Sequence, residues 1–364
     1  MGLMDQVRLG NIKMATLGTR VLFNYSRKCT YDQAWNIFTL IARGLILDVK
    51  YKEVVATPFP KFFNWESETD YVPDTVFTVH EKIDGCLGVI YFYNGKWRIS
   101  SRGSLSSDVA AVGQEMLDKT SASEMLIEGH TYICEIVHED FRIVVPYVHN
   151  ALYILGCYSD QGYETEFNKD VFEVAGFRMA KSFGDITDLN NLTQIIRSWD
   201  YKKEGVVIRF PNGHRMKIKS TDYMNMHRLV SDFSPLRVWN ILMDEDTESI
   251  IDSQGKLPEP YKSQFNELAN GFEQTFVQKL ERLREVTSDT NHMTNQELNI
   301  WMNEYSDPYA IKRFIFPLRN QGNKFIDNAY TEGTKTRRNI FKTFRPDNNV
   351  MDGVNLLNLK EKAI

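Results

Sequence analysis

The spacing of apolar and polar positions changes partway along the chain. Between Val72 and about Lys219, short β-branched and aromatic runs alternate with turn residues, which is the pattern of strands. The runs are Val76–Val79, Leu87–Tyr93, Trp97–Ser100, Tyr132–Val137, Arg142–Pro146, Leu152–Tyr158, Gly205–Phe210 and Arg215–Lys219. Tyr93-Asn94-Gly95-Lys96 places Asn-Gly between two of them, a strong hairpin signal. Asp108–Asp118 and Leu189–Trp199 have helical spacing and are expected to pack on a largely antiparallel sheet. After about Tyr223 the helical period takes over. Phe265, Leu268, Phe272, Phe276, Leu280, Leu283 and Val286 form one face of a long helix whose start Pro258 and Pro260 set. Thr294 with Glu297 reads as a capping box, and Asp307-Pro308 as the cap and first turn of a further helix. The expected architecture is an α+β domain over residues 1–235 and an all-helical domain over 236–364, divided between residues 223 and 245. The first forty residues receive only a packing assignment.

Composition narrows the class. The 364 residues are 42% hydrophobic and 12% aromatic, ample for two buried cores. Forty-three basic against 48 acidic side chains give a net charge of −5, so any polyanion site must be local. No apolar run approaches the length of a membrane span, and the N-terminus has neither a signal-peptide h-region nor the Ser/Thr expected after a myristoylated Gly2. Cys29, Cys86, Cys134 and Cys157 are scattered singly and read as buried, reduced thiols of a cytoplasmic protein. The seven histidines show no triad or metal spacing, and His138 is the one expected nearest a cleft. Residues 309–345 carry nine basic and two acidic side chains, interleaved with Phe314, Phe316, Phe325, Tyr330, Phe341 and Phe344. That composition suits RNA, and equally a helix core with a solvated charged face.

The candidate chemistry lies in the strand-rich half. Lys82-Ile83-Asp84-Gly85 falls between two strand runs, and Lys217 and Lys219 alternate on a later strand, so their amines share a face. Two such cations disfavour a third charge nearby, one way to make a lysine neutral and nucleophilic, or they clamp a phosphate. Glu135 is a lone carboxylate inside an apolar strand, and Glu204-Gly205-Val206-Val207 opens the strand before the lysine pair. A buried acid is costly unless paired or near a cation, so these glutamates suit a metal or a ribose.

In order, Arg43-Gly44, Lys61-Phe62-Phe63-Asn64, Lys82-x-Asp84-Gly85, Ser101-Arg102-Gly103-Ser104, Glu135, Glu204-Gly205-Val206-Val207 and Lys217-x-Lys219 resemble the covalent nucleotidyltransferase superfamily of ATP-dependent ligases and capping enzymes. Ala42–Leu47, Pro60–Asn64 and Phe141–Tyr147 resemble the bacteriophage RNA ligase 1 family within it, over roughly residues 40 to 225. The resemblance implies a nucleotidyltransferase (adenylation) domain followed by a helical domain that selects the RNA, and an ATP-dependent reaction with Mg2+ in three steps: Lys82 takes AMP, passes it to an RNA 5′-phosphate, and a 3′-OH then displaces AMP. It implies that Lys217 and Lys219 contact the α-phosphate, Arg43 and Lys61 the triphosphate, Glu204 hydrated Mg2+, and Glu135 the ribose or a second metal. Arg102 stands where the family's best-known member has Lys, which keeps the cation and adds bidentate geometry. Asp84 is expected to orient Lys82, Gly85 to permit close approach beside the nucleotide, Glu81 to read the adenine amino group, and Tyr153, Leu155 or Val207 to stack on adenine.

The substrate so implied is RNA, with a broken tRNA the usual expectation, prepared by a kinase-phosphatase and sealed by a monomer in the cytoplasm, the host's if the chain is phage-encoded. Alternatives are a capping guanylyltransferase, a DNA ligase, and an idle RNA-end-binding protein. The helical C-terminal pattern, unlike the stranded module of capping enzymes, argues against the first. Intact Lys82, Glu204, Lys217 and Lys219 argue against the last.

Overall fold

The computed structural model describes residues 2–67, 76–186, 188–232, 235–244, 259–331 and 333–346. The chain divides into two compact units, Met1–His227 and Arg228–Ile364. The first is α+β. Its strands are β1 (Ile12–Leu17), β2 (Arg20–Tyr25), β3 (Arg43–Asp48), β4 (Glu53–Ala56), β5 (Phe63–Asn64), β6 (Phe77–Lys82), β7 (Cys86–Tyr93) and β8 (Lys96–Ser101). They continue with β9 (Thr131–Val137), β10 (Ala151–Tyr158), β11 (Glu164–Thr165), β12 (Arg178–Met179), β13 (Ser182–Ile186), β14 (Gly205–Arg209) and β15 (Arg215–Lys219).

Three sheets result: a four-stranded one (β1-β2-β3-β4), a six-stranded one (β11-β10-β9-β7-β8, with β12 on β10) and a five-stranded one (β13-β6-β14-β15-β5). Pairing is antiparallel except for β12 on β10 and β5 on β15. Asn94 and Gly95 take φ of 52° and 73° at the β7–β8 turn, the left-handed pair a two-residue hairpin needs. Leu22, Ile46 and Ala56 of the first sheet pack on Leu87, Val89, Tyr91 and Ile133 of the second. The other face of the second sheet is covered by helix Asp108–Asp118, through Leu117, and by Phe172 of helix Lys169–Val174. In the third sheet Val79, Val206, Ile208, Met216 and Ile218 bury one face against Leu189, Leu192 and Ile196 of helix Leu189–Arg197. The alternation that hides those residues turns His80, Lys82, Val207, Arg209, Arg215, Lys217 and Lys219 the other way, toward a cleft.

Two local expectations differ from the fold. Arg142–Pro146 is not a strand, because the Val144 and Val145 amides donate to Asp84, at 2.9 and 2.8 Å, instead of to a ladder partner. Asp307-Pro308 does not open an α-helix. Asp307 accepts from the Ile311 and Lys312 amides, both at 2.8 Å, and caps a turn that leads into the 3-10 helix Lys312–Phe314.

The second unit is helical. Glu259–Asp289 is one long helix that buries Phe265, Leu268, Phe276, Leu280, Leu283 and Val286, with Phe272 half-buried. Pro258 lies outside the described residues. Thr294 and Glu297 form the reciprocal capping box of helix Asn295–Glu304. In the basic segment Phe314, Phe325 and Phe341 are core, and Arg337 is buried with them. Its guanidinium pairs with Glu273 at 2.7 Å, donates to the Leu242 carbonyl, and lies 4.8 Å from the ring centroids of both Phe276 and Phe341. Its charge is therefore spent inside the unit. Arg337→Ala is expected to cost about 3 kcal/mol, against no more than about 0.5 for the exposed Lys342→Ala, as measured by denaturant titration.

Candidate active site

The cleft is about 280 Å3, and its floor is ordered by strand register. Gly205 pairs with Lys82 on one side and Lys219 on the other. Val207 likewise lies between His80 and Lys217, and Arg209 between Thr78 and Arg215. Gly205 has φ of 149°, and a Cβ there would lie 2.0 Å from the Ile218 carbonyl oxygen. Only glycine fits between the two lysines. Both ammonium groups then converge on the preceding carboxylate: Lys82 Nζ is 2.9 Å from Glu204 Oε2, and Lys219 Nζ is 2.8 Å from Glu204 Oε1. Glu204 is 4% exposed, and despite burial its two lysines hold its pKa below the ordinary value.

This arrangement changes the charge assignment expected of the lysines. Burial pushes Lys82 toward the neutral amine, but Glu204 and Glu135 outweigh it and raise its pKa. The depressed lysine is Lys217, brought down to about 6 by burial and by the charges of Lys61, Lys82, Lys219 and Arg43. The difference arises because Glu204 stands between Lys82 and Lys219, whereas Lys217 faces cations. On the opposite wall, burial raises Glu135 to about 7 against the pull of Lys82 and Arg43.

Asp84 lies beneath the cleft. Its carboxylate accepts from Tyr223 Oη at 2.6 Å and from the Val144 and Val145 amides, while its own amide donates to Tyr147 Oη at 3.0 Å. Burial and the Glu204 charge raise its pKa in spite of these donors. Gly85 is needed against a neighbour within the protein. A Cβ there would meet the Ile136 carbonyl oxygen at 2.6 Å and Glu135 Cγ at 3.0 Å, so it lets the turn after Lys82 lie against β9.

Arg43, Lys61, Glu81, Lys82, Arg102, Glu135, Val207, Lys217 and Lys219 all line the cleft, while Asp84, Gly85 and Glu204 sit behind its wall. Of the residues considered for stacking, Leu155 and Val207 line it. Tyr153 is 8% exposed in a core with Ile83 and Val137, its hydroxyl 2.9 Å from His149 Nε2. The histidine in the cleft is His80. His138 instead caps Glu139–Phe141, accepting from the Asp140 amide, because it follows the end of β9.

The Phe62 ring lies against both Arg43 and Lys217, 5.8 and 5.7 Å from its centroid. Tyr25 faces Arg102 at 5.6 Å and lies in a segment with no readable motif. At the far end Glu164 receives Arg215 at 3.0 Å through Nη1, again through Nη2, and Arg209 Nε at 3.0 Å, which ties β11 of the six-stranded sheet to the β14–β15 hairpin. Single charges so far apart in sequence carry no spacing signal.

The cleft thus lies among antiparallel sheets and gathers lysines and arginines from several strands on its floor. Residues 41–230 match the RNA ligase family, and the chain belongs to that family. It is 24% identical over 365 aligned positions to an RNA ligase of Rhodothermus phage RM378, covering 77% of this chain and 81% of that one. Among solved structures, an archaeal ATP-dependent RNA ligase matches with a TM-score of 0.46 at 14% identity, over 73% of this chain and 75% of that one. A Naegleria gruberi RNA ligase mutant with ATP and Mn matches with a TM-score of 0.35 at 16% identity over 43% of this chain, which spans about half (52%) of that structure. No described helix is long and apolar enough to cross a membrane.

The Lys217 geometry gives a stability prediction. Between its depressed pKa of about 6 and the ordinary 10.5, the unfolded chain binds a proton here that the folded chain lacks, so stability rises with pH through that window. Lys217→Met is therefore expected to raise the urea midpoint at pH 7 and to raise it less at pH 10.

Proposed function

We propose that this chain is an ATP-dependent RNA ligase that joins a 5′-phosphate to a 3′-OH through a lysyl-AMP on Lys82 and an adenylylated RNA end. The observation that carries the reading is the convergence of Lys82, Lys217 and Lys219 on one cleft floor, with Glu204 bridging Lys82 and Lys219. Lys82 attacks the α-phosphorus, with Lys217 and Lys219 drawing off charge from its oxygens and Arg43, Lys61 and Arg102 holding the outer phosphates. Each step is an in-line displacement, for which positioning and charge neutralisation supply most of the rate. Lys82 must lose its proton before attack, and burial is the influence that favours the loss. Leu155 and Val207 cover the adenine faces, with Glu81 at the amino edge. Asp84 holds the turn that carries the nucleophile.

Among the described residues no three His, Cys, Asp or Glu side chains group as a metal cage. Glu135, which lines the cleft, nevertheless suits Mg2+, which commonly takes one or two carboxylates and completes its shell with water and substrate phosphate, and Glu204 would join it once Lys82 or Lys219 leaves one of its oxygens. When bound, the ion would neutralise phosphate charge. Residues 236–364 supply substrate selection in this reading, with a broken tRNA as the RNA and a monomeric, cytoplasmic enzyme. A break that leaves a 5′-OH requires a kinase first.

Incubation with Mg2+ and α-labelled ATP is expected to label the wild type covalently and to leave Lys82→Ala unlabelled. Label from GTP in place of ATP indicates the capping reaction, and label from neither removes both enzymatic readings. Because Arg337 is structural, the RNA contacts of the basic segment fall to exposed cations such as Lys335, Arg338 and Lys342. Charge reversal of these three should reduce tRNA sealing while Lys82 labels as in wild type.

A further inference from the structure

Beside the cleft mouth stands an aromatic group that the nucleotide site does not use. Tyr25 and Trp35 meet edge to face at 5.2 Å and 78°, and Trp35 and Phe63 do so at 5.3 Å and 73°. Two cations of the cleft overhang them. Lys61 Nζ is 5.6 Å from the Trp35 ring centroid and 4.6 Å from that of Phe63, while Arg102 lies 5.6 Å from that of Tyr25. Tyr25, Lys61 and Arg102 line the cleft, and Trp35 is half-buried just outside it. Trp35 follows a short turn, its Nε1 donating to Gln33 Oε1 at 3.1 Å, and Tyr31 and Ile37, near it in the chain, are 89% and 70% exposed. Cations and rings thus continue from the cleft wall to the surface.

The chemistry says what should lie there. In the first step a bond forms from the neutral amine of Lys82 to the α-phosphorus, the nitrogen gives up a proton to solvent, and the bond to the bridging oxygen breaks, so that pyrophosphate leaves with that electron pair. In the second step an oxygen of the RNA 5′-phosphate bonds to the same phosphorus, the N–P bond breaks, and its electron pair returns to Lys82, which regains a proton. Entering and leaving groups occupy opposite apices in each displacement. Lys82 is one apex both times, so the RNA phosphate must enter where pyrophosphate left. The cations around that position are Arg43, Lys61 and Arg102, and the nucleoside behind the entering phosphate is brought to the rings beneath Lys61 and Arg102.

We propose that Tyr25, Trp35 and Phe63 form the binding site for the terminal nucleoside of the 5′-phosphorylated strand, with Trp35 the stacking surface, and that Arg43, Lys61 and Arg102 serve pyrophosphate and RNA phosphate in turn. The proposal rests on the ligase reading above. Stacking on an aromatic ring accepts any base, so the site recognises a phosphorylated single-strand end by its chemistry and not by its sequence.

The test separates the two steps. Wild type, Trp35→Phe and Trp35→Leu are first labelled with α-labelled ATP, then chased in a single turnover with increasing 5′-phosphorylated RNA oligonucleotide. Trp35→Leu keeps apolar bulk without a π-face. It is expected to label as wild type and to need about tenfold more RNA for half-maximal transfer, the effect of losing one stacked base. Trp35→Phe should need much less than that. Equal RNA dependence in all three proteins overturns the proposal. So does a parallel loss of labelling and transfer in Trp35→Leu, which makes Trp35 a packing residue. If the wild type itself takes no label, the ligase reading fails and the inference falls with it.

Discussion

The buried carboxylate of Glu204, shared between Lys82 and Lys219, is the interaction on which the site depends. A carboxylate 4% exposed needs cations, and two neighbouring ammonium groups need an anion between them. The geometry that lets all three meet is the missing side chain at Gly205, which pairs with both lysines across its two neighbouring strands. One consequence is that Lys82 rests as a charged, paired amine. Another is that the crowding of positive charge falls on Lys217, whose pKa burial and its neighbouring cations bring down to about 6.

Two other polar assemblies hold the frame around that bridge. At one end Asp84 joins the turn after Lys82 to the Val144-Val145 backbone and to Tyr223. At the other, Glu164 fastens the edge of one sheet to the hairpin of the next through Arg209 and Arg215. The third sheet keeps its apolar packing on the face turned away from the cleft. In the helical unit Arg337 plays a comparable part, a cation whose charge is satisfied by Glu273 and two aromatic faces. It shows how a residue with the composition of an RNA contact becomes core.

Strands and helices with regular alternation were legible in the chain. Arg215–Lys219 and helix Asp108–Asp118 fall where the spacing sets them, because one face is apolar and the other polar along their whole length. The first sheet was not legible. Arg20 to Phe23 is buried at every position, so no alternation marks β2, while β1 exposes most of its residues and β4 half of its own. Arg142–Pro146 has strand composition, yet its amides are taken by a carboxylate sixty residues earlier, a competition no local pattern reveals.

By itself, the order of motifs along the sequence determined the family, because phosphate chemistry demands particular side chains at particular places on strands. Alternation on β15 even placed Lys217 and Lys219 on one face. What only the tertiary structure decided is which charges meet. Whether a lysine is paired or crowded depends on register across three strands and on how deeply each group is buried, and those are set by distant packing. For the same reason the sequence could name Gly85 and Arg337, but not that one accommodates β9 or that the other is enclosed by the core.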